Sequence, residues 1–253
     1  MNLWALKAAG VAVIAFTIAG CKGNAGPVGP GGPAGPELTG DLGGWAYLVD
    51  PLGNRAKVDS GITVTADSTS YSAKTDSTGK WIIHGLPTGT YHIMGVKAGY
   101  GVYKSSPFVF VGGQAMTYFG NMNLCTIPSF IVSGLTADTL GGGKINLKAN
   151  FVGPYPAANN EAIVFMSNSA DVSSDPTKYI TAFGMSAFNS ASLSATILAT
   201  QLQNSGIAPG SAVFIVAYAA GASWNSYYDF QTNRYLYSSL NPVASNIVSV
   251  TAP

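Results

Sequence analysis

From residue 40 onward the sequence consists of short runs in which apolar and polar residues alternate, separated by Gly, Pro, Asn and Ser. In one such run, Ile62, Val64 and Ala66 alternate with threonines. Strict alternation is typical of strands that bury one face, and no helical period of comparable strength follows residue 21. The sequence therefore predicts an all-β protein.

Charged side chains are scarce in this sequence. Only 9% of the 253 residues are charged, against roughly 25% in an average soluble protein. Twelve lysines and arginines balance eleven aspartates and glutamates, so the chain has no basic field that would collect phosphates. A hydrophobic content of 47% also excludes a solvated disordered chain. We expect one large or two modest domains and no nucleic-acid partner.

The amino terminus has the pattern of a secretory signal. Lys7 precedes an apolar run of twelve residues, 8–19, which is shorter than the roughly 20 residues that cross a bilayer as a helix. Residues 18–21 read Ile-Ala-Gly-Cys, which resembles the lipobox of bacterial lipoproteins. We expect residues 1–20 to be a signal peptide that is cut before Cys21. The alternative is an ordinary signal peptide followed by a chance cysteine.

The resemblance to lipoproteins implies three acyl chains on Cys21. A single chain binds membranes only reversibly, whereas several chains make a stable anchor. The expected partner is therefore a membrane, which the lipid on Cys21 would enter. Lys22 stands where some bacteria use aspartate for retention at the inner membrane, so we expect an outer-membrane protein that faces outward.

A Gly/Pro-rich linker is predicted at residues 21–39. Between Gly23 and Glu37 glycine recurs at every third position, and proline follows it four times. This is a collagen-like period, but five triplets are few for a triple helix. We favour a monomeric extended spacer, which at about 3.1 Å per residue would hold the next domain some 45 Å from the lipid. A trimerising stem is the alternative.

Residues 75–100 carry a family resemblance. They read TDSTGKWIIHGLPTGTYHIMGVKAGY, in which a Thr-Asp turn, an aromatic residue, Gly-Leu-Pro, Gly-Thr-Tyr and a late Gly-Tyr follow in order. This order resembles the carboxypeptidase regulatory-like family and is similar to the B-type repeats of Gram-positive adhesins. The resemblance implies a prealbumin-like Greek-key β-sandwich over residues 40–125, and it specifies a fold rather than a function.

A second Greek-key sandwich is predicted in tandem, over residues 126–253. Ile207, Pro209 and Gly210 precede an alternating apolar run, which is similar to the lead into strand F of fibronectin type III domains. Where that family commonly has a tyrosine, this chain has Val213. The tyrosine-corner hydrogen bond is therefore absent from the predicted sandwich.

Few residues are suited to catalysis. The two histidines, His84 and His92, are predicted on strand positions that face away from the core. They flank a predicted hairpin across which they would approach each other, but no third metal ligand is recognisable. No Gly-x-Ser-x-Gly elbow is present either. We expect no enzyme activity, no cofactor and no metal, and we expect Cys125 to be a small buried residue at the domain junction.

An aromatic segment at residues 223–237 is the candidate ligand-binding site. Aromatic faces beside amides and carboxylates are suited to stacking on sugar rings or to gripping another protein. The alternative is a hairpin that turns at Thr232 and Asn233 and packs its rings on the sandwich. The candidate site residues are Trp224, Tyr227, Tyr228, Asp229, Tyr235 and Tyr237.

These features favour a non-catalytic, membrane-anchored surface lipoprotein that binds a glycan or a protein. A structural subunit of a surface fibre or adhesin is the alternative, because low charge and many short strands leave edges available for pairing. An enzyme that acts on cell-surface polymers has only the expected location in its favour.

Overall fold

The computed structural model describes residues 35–154, 160–188 and 190–253. The predicted signal peptide, Cys21 and most of the predicted linker lie outside the described residues. Within the described part, no helix has the length and apolar character needed to cross a membrane.

The alternating segments form strands, so the all-β prediction is confirmed. Residues 39–125, all of which are described, form two main sheets and one two-stranded ribbon. The sheet orders are β4-β1-β9, β3-β2-β6-β7 and β5-β8. The strands are β1 Thr39–Val49, β2 Thr63–Ala66, β3 Ser72–Lys74, β4 Lys80–Pro87, β5 Gly89–Tyr91, β6 Ile93–Val96, β7 Tyr103–Lys104, β8 Phe108–Phe110 and β9 Thr117–Cys125.

The core of this first half lies between its sheets. The residues expected from the alternation, among them Ile62, Val64, Trp81 and Ile83, are buried in it. β1 runs antiparallel to β4 but parallel to β9, so the last strand of this half lies beside the first.

The described part of residues 131–253 forms a three-stranded sheet, β10-β11-β14, a four-stranded sheet, β13-β12-β15-β18, and the hairpin β16-β17. Seven strands in two packed antiparallel sheets are the architecture that fibronectin type III domains share with immunoglobulin domains. The elements are β10 Ile131–Leu140, β11 Lys144–Val152, β12 Asn160–Ser167, β13 Thr181–Ala187, β14 Ser192–Leu198, α1 Ala199–Asn204, β15 Ala212–Ala220, β16 Ser226–Asp229, β17 Arg234–Tyr237 and β18 Val248–Thr251.

The turn predicted at Ile207, Pro209 and Gly210 precedes a strand, β15, as expected. Gly210 has a φ of +77°, which glycine adopts without steric cost, and β15 begins two residues later. Ile207 and Val213 are fully buried between the sheets. Residues 37–253 form one compact unit, and the domain boundary between residues 125 and 126 stays a prediction.

Two strands of the four-stranded sheet are buried on both faces. Along β12, Val164 faces the core between the sheets, whereas Phe165 faces a further apolar cluster on the outer side. The ring of Phe165 meets Tyr179, Tyr218 and Tyr237 edge-on at centroid distances of 5.0, 5.6 and 5.4 Å. Such pairs contribute about 0.5–1.5 kcal/mol each beyond their burial. The outer cluster therefore attaches the loop before β13 and the hairpin segment to the sandwich.

A buried carboxylate ties three segments of the first half together. Asp59 is 1% exposed and accepts hydrogen bonds from the Leu48 amide at 2.7 Å and from Arg55 Nε at 2.8 Å. Arg55 also donates to the Thr78 carbonyl and lies 3.6 Å above the ring of Tyr47. The end of β1, the loop after it and the turn before β4 thus converge on Asp59.

Candidate functional site

The predicted aromatic segment forms a β-hairpin inserted between β15 and β18. Tyr228 of β16 lies directly opposite Tyr235 of β17. The four residues between the strands include Asn233 at a φ of +57°, a conformation that asparagine tolerates better than most residues. The predicted turn at Thr232 and Asn233 is therefore present.

Asp229 shapes this turn rather than presenting a free carboxylate. Its side chain accepts hydrogen bonds from the Thr232 hydroxyl and amide and from the Gln231 amide. The bond from the Thr232 hydroxyl is the main reason that the pKa of Asp229 is lowered. The structure thus gives Asp229 a positioning role at the tip.

Three rings at the tip face solvent. Tyr228, Phe230 and Tyr235 are 36%, 66% and 53% exposed. Their positions are nevertheless fixed, because Tyr228 packs edge-on against Phe230 at 5.1 Å and against Tyr235 at 5.4 Å. The Tyr228 hydroxyl also donates to the side chain of Asn233. The tip is therefore an ordered aromatic surface.

The other predicted aromatic residues serve packing. Trp224 and Tyr237 lie against the outer apolar cluster of the four-stranded sheet. Tyr227 faces the first half of the chain, where Lys104 Nζ lies 5.8 Å from its ring centre, and burial raises the pKa of Tyr227. The structure therefore divides the six predicted residues into packing residues, a turn-forming residue and two exposed rings, to which Phe230 is added.

A groove of about 180 Å³ lies between the hairpin and the segment after β7. We name it the lysine groove. Lys104 forms an ion pair with Asp67 at 2.6 Å, and this contact is the main reason that the pKa of Asp67 is lowered. The positive charge of Lys104 is therefore largely neutralised by Asp67. The lining residues that matter below are Lys104, Ser105, Ser106, Tyr227, Tyr228 and Phe230.

A second groove, of about 250 Å³, lies between the hairpin and the start of β13. We name it the arginine groove. Tyr228 and Tyr235 line both grooves, so this pair of rings separates two adjoining compartments. Its polar and aromatic lining consists of Tyr179, Tyr228, Asn233, Arg234, Tyr235 and Tyr237, beside residues 180–182.

A larger cavity, of about 440 Å³, lies elsewhere between β13 and β14. Its lining contains no charged side chain and one aromatic ring, that of Phe183. We place the candidate site at the two smaller grooves, because both combine several rings with charged and hydroxyl groups.

The base of the hairpin is attached to the first half of the chain by Asn225. This buried side chain donates to the Asn123 carbonyl at 2.8 Å and accepts from the Cys125 amide at 2.7 Å. Nearby, the Ser238 hydroxyl donates to the Val102 carbonyl at 2.7 Å. The orientation of the rings is thus set by contacts with both halves.

Two further asparagines hold the segment after the hairpin. Asn241 donates to the Pro128 carbonyl at 2.8 Å. Asn246 donates to the carbonyl of Leu135 at 2.8 Å and accepts from its amide at 2.9 Å. The roles of these asparagines and of Asn225 cannot be predicted from the sequence, since the only feature that distinguishes them there is a position outside the alternating strands.

The predicted approach of the histidines across a hairpin is wrong. His84 lies in β4, and His92 directly follows β5. β4 pairs with β1 and β5 pairs with β8, so these two strands do not form a hairpin with each other. His84 bonds to Asp41 at 2.8 Å, and His92 bonds to the Ser105 carbonyl at 2.7 Å. No three His, Cys, Asp or Glu side chains converge in the described part of the chain.

Cys125 is buried at the end of β9, so the expectation of a buried cysteine is confirmed, whereas its place at a domain junction stays a prediction. Burial raises the pKa of its thiol to about 11. Because the thiolate is the reactive form, the side chain is chemically quiet at neutral pH.

No family model and no curated protein match this chain. The solved structures to which it is similar include the following three. A type II cohesin–X-dockerin complex from Acetivibrio cellulolyticus is 23% identical over 34% of this chain and 57% of that one, with a TM-score of 0.27. A candidate carbohydrate-binding protein from Bacteroides uniformis is 15% identical over 86% and 100%, with a TM-score of 0.27. The major pilin subunit of Bacillus cereus is 11% identical over 84% and 69%, with a TM-score of 0.28.

The chain spans 57% of the length of the first of these structures. At such identities and TM-scores the likeness carries no argument about function. The candidate site therefore rests on the geometry of the hairpin.

Proposed function

We propose that the chain is a non-catalytic, lipid-anchored surface protein that binds carbohydrate through the hairpin tip. One observation carries the binding part of this proposal. Tyr228, Phe230 and Tyr235 are exposed, yet their contacts with one another and with Asn233 hold them in fixed positions. Rings that served only the core would be buried.

Fixed exposed rings are suited to a ligand with apolar faces. Each ring has two side-chain torsions, so little conformational entropy is lost when a ligand immobilises it. The faces of pyranose rings carry C–H groups that stack on aromatic rings, and their hydroxyls need hydrogen-bond partners. Ser106 and the side-chain amide of Asn233 supply such partners beside the rings, whereas the Ser105 hydroxyl already bonds to the Ile93 amide and the Ser106 carbonyl.

The anchoring part of the proposal is supported by the sequence. The lipobox-like residues 18–21 follow an apolar run of secretory length, and the Gly/Pro-rich linker follows directly. An extended linker separates a binding domain from the headgroup layer. A lipid on Cys21 would therefore leave the hairpin tip accessible to a glycan at the cell surface.

Replacing Tyr228 with alanine is expected to weaken glycan binding by about 10- to 100-fold. Tyr228 contacts both other rings and lines both grooves, and truncation of a central aromatic residue commonly costs about 1.4–3 kcal/mol. Glycan-array binding followed by calorimetric titration measures the change. Tyr118→Ala is the matched control, because Tyr118 is an exposed tyrosine on β9, outside both grooves. Equal affinities of Tyr228→Ala and the wild type would exclude the hairpin tip as the site.

Replacing Cys21 with serine is expected to abolish labelling with radioactive palmitate in the native bacterium. The lipid is proposed to sit on this sulfur, so the variant should also leave the membrane fraction. Cys125→Ser is the control and should keep its label, since Cys125 is buried. A wild-type protein that takes up no palmitate and leaves the cells would contradict the anchor.

A further inference from the structure

The arginine groove contains a guanidinium without a carboxylate partner. Arg234 Nε donates to the Tyr179 carbonyl at 3.3 Å, and Nη1 donates to the Asn233 carbonyl at 3.2 Å. Among the described residues, no ion pair of 4 Å or less includes Arg234. Arginine has five N–H donors, so three of them have no partner in the described part of the protein.

Asp229 lies opposite Arg234 in the hairpin, but its carboxylate forms no ion pair with the Arg234 guanidinium. The Asp229 oxygens are engaged by Thr232 and Gln231 in the turn. Asp229, which could neutralise Arg234 from across the hairpin, therefore stabilises the turn at the tip instead.

No other charge lies in the lining of this groove. Its remaining residues are tyrosines, Asn233 and the uncharged residues 180–182. Burial raises the pKa of Tyr179 to about 12, so this phenol stays neutral at physiological pH.

The neighbouring lysine groove differs in this respect. Lys104 lies there within 2.6 Å of Asp67, so that compartment holds a neutralised pair. The pair of rings formed by Tyr228 and Tyr235 separates the two compartments. A glycan that crosses these rings would therefore meet a neutral compartment on one side and an unpaired positive charge on the other.

We infer that the arginine groove binds an oxyanion carried by a sugar, so that the ligand of this protein is an acidic polysaccharide. This inference rests on the proposed function. The planar guanidinium fork matches the two oxygens of a carboxylate or of a sulfate ester, and such charge-assisted pairs are stronger than neutral hydrogen bonds. Carboxylate and sulfate share the required chemistry, and the experiment separates them.

The experiment compares two pairs of polymers on the purified full-length protein at physiological salt. Polygalacturonate is paired with its carboxyl-reduced form, and dextran sulfate is paired with dextran. The net charge of the chain is only +1, so non-specific attraction to polyanions is small. Titration calorimetry of the wild type is expected to give at least tenfold tighter binding to one acidic polymer than to its neutral counterpart. The polymer that shows this preference identifies carboxylate or sulfate.

Arg234→Gln is expected to remove this preference: the affinity for the acidic polymer should fall about tenfold or more, to the affinity that the same variant shows for the neutral form. Arg234→Lys keeps the charge without the fork and should retain part of the preference. Lys144→Gln removes an exposed charge outside both grooves and is the control, with wild-type affinities expected. Wild-type affinities in Arg234→Gln, or no preference for either acidic polymer, would overturn the inference.

Tyr228→Ala distinguishes this inference from the proposed function. If Tyr228→Ala weakens binding of both members of a pair while Arg234→Gln changes nothing, the hairpin binds glycan but does not select an anion. If Tyr228→Ala leaves all affinities unchanged, the proposed function itself fails.

Discussion

Replacing Asn225 with alanine is expected to lower the free energy of unfolding by about 2–4 kcal/mol. The change leaves the Cys125 amide and the Asn123 carbonyl without the partners that the Asn225 side chain supplies, and each unsatisfied buried group costs about 1–3 kcal/mol. For a protein of this size the midpoint of thermal unfolding should fall by roughly 5–15 °C. Urea and thermal denaturation measure both quantities.

The same variant is expected to weaken glycan binding although every ring is still present. The Asn225 side chain bonds to β9, so it acts by holding the base of the hairpin against that strand. Asn121→Ala is the control: Asn121 is exposed on the same strand, and surface substitutions usually change stability by no more than about 0.5 kcal/mol. An unfolding midpoint of Asn225→Ala equal to that of the control would show that the bridge contributes nothing.

Replacing Asp59 with alanine is expected to destabilise the protein by about 2–4 kcal/mol. The Asp59 carboxylate is buried, whereas the Arg55 side chain is 49% exposed. Most of the cost therefore comes from the buried amide that is left without an acceptor, about 1–3 kcal/mol, and less of it from the lost ion pair. Here the Leu48 amide loses its acceptor, and Arg55 loses the carboxylate that holds it. Asp59→Asn retains an acceptor for the amide but removes the charge, so its loss should be about half as large.

Urea denaturation followed by tryptophan fluorescence measures this series, since Trp81 is buried in the same core. Asp171→Ala is the matched control. Asp171 also forms an ion pair, with Lys178 at 3.5 Å, but both side chains are largely exposed, and exposed pairs contribute little. Should Asp59→Ala unfold at the same urea concentration as Asp171→Ala, the convergence of three segments on Asp59 would have no energetic weight.

Local patterns predicted the strands well. Ile62, Val64 and Ala66 alternate with threonines, and this period by itself states which face is buried. Ile207, Pro209 and Gly210 likewise define a turn before β15 from their own stereochemistry. Each of these patterns spans only a few residues. The strand or turn that it predicts therefore does not depend on which distant segment it later contacts.

Contacts between distant residues could not be predicted in this way. Asn225 bonds to residues about 100 positions earlier, and no pattern in the sequence around Asn225 indicates which residues these partners are. The error about His84 and His92 has the same cause, because the sequence suggested that neighbouring strands pair, whereas β4 pairs with β1. The aromatic composition of residues 223–237 is evident from the sequence, but which of these rings are buried depends on the outer cluster around Phe165.

The bridge at Asn225 has an evolutionary consequence. The exposed rings belong to the second half of the chain, yet the backbone groups that orient them belong to β9 of the first. A gene rearrangement that joined the second half to a different neighbour would remove the β9 backbone groups that hold the hairpin. The proposed glycan site therefore depends on the two halves being inherited together.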